Sequence, residues 1–234
     1  MRLKSLLTGI FLTVASVAAA KSPLCLQTQD FQELRVRGLL NVEYVSAPDS
    51  AGLIVISGPV EEQLSWVEAA SSGRKLTLNL NIPAEQVQTP QNLPSIRVYS
   101  SYLTKVDNEG DSTVILNSPL AGAQFSARII GNGRISVRNI KAGEVNGSIL
   151  SGHGVLAMSG DCNKASLKLT GTGVIQADAL RATDGYVWCT GTGTVGVWAV
   201  KQLTIKGAGS GTVYVKGTPH IKQKTLGVKL QMIE

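Results

Sequence analysis

The chain has 234 residues, 43% of them hydrophobic, with a formal net charge of +6 and only 5% aromatic residues. Its basic residues are scattered rather than blocked, which speaks against a nucleic-acid binder, and its two histidines, His153 and His220, are too few for a histidine-built metal centre. No cofactor-binding motif is present.

The first twenty residues read as a targeting segment. "MRLK" supplies positive charge, "SLLTGIFLTVASV" an apolar stretch, and Ala18–Ala20 a small-residue cleavage site. Cleavage after Ala20 leaves 214 residues (234 minus 20), and loss of Arg2 and Lys4 lowers the charge to +4. The apolar stretch is too short and too polar to span a membrane comfortably, and no later run suits a membrane helix. Ser22-Pro23-Leu24 before Cys25 places no small residue next to the cysteine, against a lipid anchor. The expected location is exported: periplasmic, outer-surface or secreted. That compartment permits one disulfide among Cys25, Cys162 and Cys189. Cys162 and Cys189 read equally well as buried small apolar residues.

Residues 21–234 read as one domain. "FQELRVRGLLNVEYV" opens it with the spacing of a coil. Then comes an excursion: "GLIVISG" predicts a strand, "PVEEQLSWVEAASSG" a short helix starting at Pro59, and "RKLTLNLNIP" a second strand. Residues 81–95 carry three prolines and read as a surface loop.

From about residue 103 to 217 the chain repeats. Small or turn residues recur at Ser112, Gly133, Gly154, Gly173, Gly193 and Gly211, at intervals of 21, 21, 19, 20 and 18. Apolar residues fall two and four positions after each, as in Ile135 and Val137 or Val195 and Val197, which is strand alternation. Another apolar residue follows at the seventh position: Ile140, Leu180, Val200. A second alternating run precedes each anchor, as in Leu167 and Leu169. Each unit is thus two short strands joined at a glycine corner, and six units at this period predict a solenoid. The recurrence excludes a phosphate-binding loop, which occurs once and opens a helix. The ends of such a stack need covering. The excursion is expected at one end and the tail "GTPHIKQKTLGVKLQMIE" at the other.

These features together resemble the head GIN domain family of auto-transporter adhesins: the "F-x-x-L-x-V-x-G" segment, the excursion, the repeated "GxGxΦxΦ" coils (Φ apolar), and the closing Tyr214–Pro219. The resemblance spans roughly residues 30–222. It departs at Ser101-Tyr102-Leu103, where the family carries Pro-x-Leu. The resemblance implies an all-β, right-handed parallel β-helix-like solenoid and a surface or polysaccharide-binding role, with no catalytic motif.

Among outward positions, Trp198 and Tyr214 lie on the same strand layer of adjacent coils. Lys216 shares the register of Trp198, as do Arg138 and Asp178 in earlier coils. Trp198, Tyr214, Lys216 and Arg138 are the candidate ligand-binding residues: an aromatic face packs on a sugar ring while charges bind its hydroxyls. Tyr214 also reads as cover for Gly196. Trp188 points outward on the other layer, where a subunit interface is the alternative. Asp111, Asn132, His153, Thr172, Thr192 and Ser210 form a polar corner ladder, read as solvated corners. The carboxylates do not share a register in neighbouring coils, which argues against a polysaccharide-cleaving enzyme. The expected partner is a glycan or other cell-surface ligand, and the alternative is an envelope assembly protein that self-associates as a dimer or trimer.

Overall fold

The computed structural model describes residues 23–58, 65–82, 93–118 and 120–233. The chain order is β1 (Leu24–Gln27), β2 (Glu33–Gly38), β3 (Asn41–Ser46), β4 (Leu53–Ser57), β5 (Val67–Ser72), β6 (Lys75–Leu80), β7 (Ser95–Ser100), β8 (Lys105–Gly110) and β9 (Thr113–Leu116). Five long bent strands follow: β10 (Leu120–Ile130), β11 (Arg134–Ser151), β12 (Val155–Gly171), β13 (Val174–Gly191) and β14 (Thr194–Gly209). β15 (Thr212–Lys216), β16 (His220–Leu226) and β17 (Lys229–Ile233) close the chain.

The result is a parallel β-solenoid, as the periodicity predicts. Residues two and four past each corner stack in columns: Val114, Ile135, Leu156, Ile175, Val195 and Val213 in one, Leu116, Val137, Met158, Ala177, Val197 and Val215 in the next. All twelve are at most 2% exposed. Parallel strands pair in register over each step, so one coil buries its apolar face only against the next.

Each coil has three walls rather than two. In β11 the pairing with β12 shifts between Val137 and Ile140, and skips Gly143. The coil therefore divides into a first wall, Arg134–Val137, a last wall, Glu144–Ile149, and a short third wall between them around Ile140–Ala142. Asn139 makes the first bend with φ +59°. The third wall is lined by Leu120, Ile140, Leu180, Cys162, Ala182 and Ala199. Val200 was expected inside and is exposed, while Ala199 takes the inward place. The reason is the shorter coil: Trp198 pairs with Arg181 and Ala199 with Ala182, so the register skips residues that the preceding coil loops out.

The N-terminal excursion differs from its expected form. The stretch expected to be helical lies partly outside the described residues (59–64); its remainder is β5, antiparallel to β6 from Val67↔Leu80 to Ser72↔Lys75. Ser71, Ser72 and Gly73 favour a tight hairpin over a helix, and Trp66 and Val67 bury against the core. A helix this short is marginal without tertiary support, and the free edge of β6 offers a hydrogen-bond ladder instead.

Sequence order and stacking order part company here. β2 lies between β6 and β8, and β3 between β7 and β9, all parallel. The first coil is thus enclosed by coils that arrive later, with Leu34 beside Val106 and Val42 beside Val114. β4 and β1 then extend the end antiparallel. At the other end the tail is not an irregular cap: β16 and β17 form a further parallel coil on β14 and β15. Its edge carries Lys222, Lys224 and Lys229, which discourage strand-to-strand aggregation.

Candidate binding surfaces

Trp198, Lys216 and Tyr214 lie together on the first wall, because β14 and β15 pair Gly196↔Tyr214 and Trp198↔Lys216. The Lys216 ammonium sits 5.3 Å from the indole centroid, within cation–π range. Trp198 and Lys216 line a depression of about 640 Å³ with Thr218 and Met232. Tyr214 does not line it; it sits half-buried over the Gly196 register. Arg138 is apart, lining a separate hollow with Gln176 and Asp178. β11 and β14 are three coils apart, about 14 Å.

The polar corner ladder is bonded to itself. Asp111 accepts from the Asn132 backbone N–H at 3.3 Å, Asn132 from that of His153 at 3.1 Å, and Thr172 Oγ1 meets His153 Nδ1. These side chains tie the first four corners of the ladder together.

A larger groove, about 1020 Å³, opens where the third wall meets the last. Its floor exists because "LAGA", Leu120–Ala123, and Ala142-Gly143 put nothing large on the outside; a Cβ on Gly122 would meet only open space. Leu103, Leu120 and Phe125 are buried beneath. Around the floor stand Tyr102, 46% exposed, with Gln124, Asn146 and Asn163. Two ion pairs flank it, Lys105–Glu33 at 3.4 Å and Lys164–Glu144 at 3.8 Å. The Gln32 amide donates to the Tyr102 hydroxyl and holds the ring in place. Sequence reading passed over this groove. Its signal is the run of small residues at 121–123, which breaks the strand alternation without adding a turn.

The groove's two carboxylates are not a catalytic pair. Glu33 pairs with Lys105, Lys105 with Ser126, and Ser126 with Asn146. Glu33 and the strand of Glu144 are therefore about three coils, ~14 Å, apart, beyond the separation that glycoside hydrolysis uses. Each is already paired with a lysine. Among the described residues, no group of three or more His, Cys, Asp or Glu could hold a metal ion, and no helix is long and apolar enough to cross a membrane.

A rigid parallel solenoid whose outer walls carry shallow aromatic and amide-lined hollows defines a class: a scaffold that presents surfaces. The family described as "Putative auto-transporter adhesin, head GIN domain" matches residues 30–219. The chain belongs to that family. Its fold is similar to a putative adhesin from Bacteroides fragilis (19% identity, TM-score 0.79, 90% of this chain and 96% of that chain). It is also similar to a protein from Parabacteroides distasonis described as a putative lipid binding protein (18%, 0.70, 91% and 97%). A putative adhesin from Parabacteroides merdae is a third (19%, 0.65, 91% and 96%). No curated protein matches the chain in sequence.

Proposed function

We propose that this chain is an exported, non-catalytic carbohydrate-binding module acting at the cell surface. The observation that carries the reading is the groove beside Tyr102. An exposed ring, three side-chain amides and two lysine–carboxylate pairs surround a floor of alanine and glycine. A sugar presents an apolar face and a rim of hydroxyls, and this lining offers a partner to each. The adhesin descriptions of the family and of its structural neighbours agree with a binding role. Trp198, Lys216 and Tyr214 form a second, shallower contact for the same class of ligand. Arg138 joins them only along an extended chain.

A glycan array followed by calorimetry on the first hit tests this. Tyr102→Ala should weaken binding about tenfold or more, the loss of a stacked ring with its ordered contacts. Trp198→Ala with Tyr214→Ala should have the smaller effect. No binding by the wild type to any neutral or charged glycan overturns the reading.

A further inference from the structure

The last wall changes character along the stack. Near its N-terminal end most outward charges are matched. Asp107 is held by Arg128 at 2.9 Å, Lys105 at 3.4 Å and Arg35 at 3.6 Å, and Glu109 by Arg37 at 2.9 Å. Further along, the column that holds Arg35, Asp107 and Arg128 continues as Ser148, Lys168, Trp188, Lys206 and Lys224. Its neighbour continues as Asn146, Ser166, Tyr186, Thr204 and Lys222. These ten side chains include two aromatics, four lysines and no carboxylate. None of the four lysines has an ion-pair partner among the described residues. Between Asp184 and Glu234 the chain has six lysines and no acidic residue at all.

The geometry is that of a platform. Trp188, 38% exposed, stands between Lys168 and Lys206, one coil or about 4.8 Å to either side. Lys206 lies 5.9 Å from the Tyr186 ring centroid. Tyr186, Trp188, Lys168 and Ser166 enclose a hollow of about 320 Å³. This hollow lies beside the groove on the same wall, since Asn146 on the groove rim pairs with Ser166, and Ser166 with Tyr186. Like charges a few ångströms apart repel, and this face holds them without internal compensation. A ligand that supplies both stacking surface and negative charge satisfies it.

We infer that the ligand is an acidic polysaccharide, a chain of uronate-type sugars. Resting on the carbohydrate reading, it runs from the groove across Tyr186 and Trp188 and sets its carboxylates against Lys168, Lys206, Lys222 and Lys224. Aromatic faces take sugar rings, and lysines at coil spacing take the charge that repeats along the chain. Neutral sugars would use the groove and leave the lysines unmatched.

Binding to three probes decides it: polygalacturonate, its fully methyl-esterified form with the same backbone, and inorganic polyphosphate. The acid form should bind about tenfold tighter than the ester at low salt, with the advantage fading as salt rises. Lys206→Gln with Lys224→Gln should remove that advantage. Trp188→Ala should weaken acid-form binding about tenfold, and Trp188→Phe should restore it. Equal binding of acid and ester overturns the inference and leaves the groove reading standing. Polyphosphate bound as tightly as the acid sugar, with Trp188→Ala silent, reduces the face to a cationic surface and also overturns it. No binding to either sugar form overturns the inference, while the groove reading stands or falls with the glycan array.

Discussion

Asn108 and Ser112 meet across the inside of a corner: Asn108 Nδ2 donates to the Ser112 carbonyl oxygen at 2.7 Å and to that of Arg134, one coil on, at 3.2 Å. Asn108 is fully buried, in a column whose neighbours are Val36 and Ile129. It is therefore a polar clamp in an apolar stack. Ser112 Oγ completes it by accepting from the Leu40 backbone N–H at 3.0 Å. Asn108→Ala should destabilise the protein by about 2 kcal/mol, two lost hydrogen bonds at roughly 1 kcal/mol each. The midpoint of urea unfolding reads this. An unchanged midpoint would show that the corner needs no clamp.

The corner glycines differ sharply in what they tolerate. Gly191 has φ +124°, and a Cβ there would lie 2.3 Å from the Gly171 carbonyl oxygen of the coil before. Gly73, in the β5–β6 hairpin, has φ +59° with open space around it. Gly191→Ala should cost about 3 kcal/mol or more, since the added Cβ forces two backbones apart at a positive φ. Gly73→Ala should cost about 1 kcal/mol, the left-handed penalty alone. Equal melting temperatures for the two variants would contradict the close stacking of corners.

The three cysteines are unpaired, Cys25 exposed, Cys162 and Cys189 buried. Burial pushes the Cys162 thiol up to about 11, helped by the neighbouring Asp161, and raises Cys189 as well. Burial also raises the Tyr44 phenol. Below pH 9 the Cys162 thiol is neutral folded or unfolded, and its contribution to stability is intact. Between pH 9 and 11 only the unfolded chain ionises, so stability falls. The melting temperature should drop across that window, and Cys162→Ala should shallow the drop. In native protein at pH 8, iodoacetamide should modify Cys25 and spare the other two until the chain unfolds. Rapid labelling of all three would refute their burial.

Much of the solenoid was legible because its rule is local. Val195 and Val197, or Ile135 and Val137, alternate within five residues of a glycine, and that pattern recurs at the coil length. The third wall was only half visible, through Ile140 and Leu180. Val200 misled because the last coils are shorter, and register is a property of two coils compared, not of one. The helix expected from Pro59 failed for a related reason: nothing local reveals that β6 presents a free edge to residues 67–72.

The candidate surfaces divide the same way. Period-two alternation gave Trp198, Tyr214, Lys216 and Trp188 their outward direction. It could not say that Arg138 lines a hollow separate from that of Trp198, or that Tyr102 overhangs a floor of Ala121, Gly122 and Ala123. The order of the amino acids by itself determined which side chains face in along the strands flanking each glycine corner and how often the chain turns, since alternation and glycine conformation act over a few bonds. Only the tertiary structure decided that Glu33 comes to lie beside Lys105, 72 residues on, and that four lysines from three strands share one uncompensated face. Those neighbours are chosen by how coils stack, and the first coil is enclosed by segments made after it.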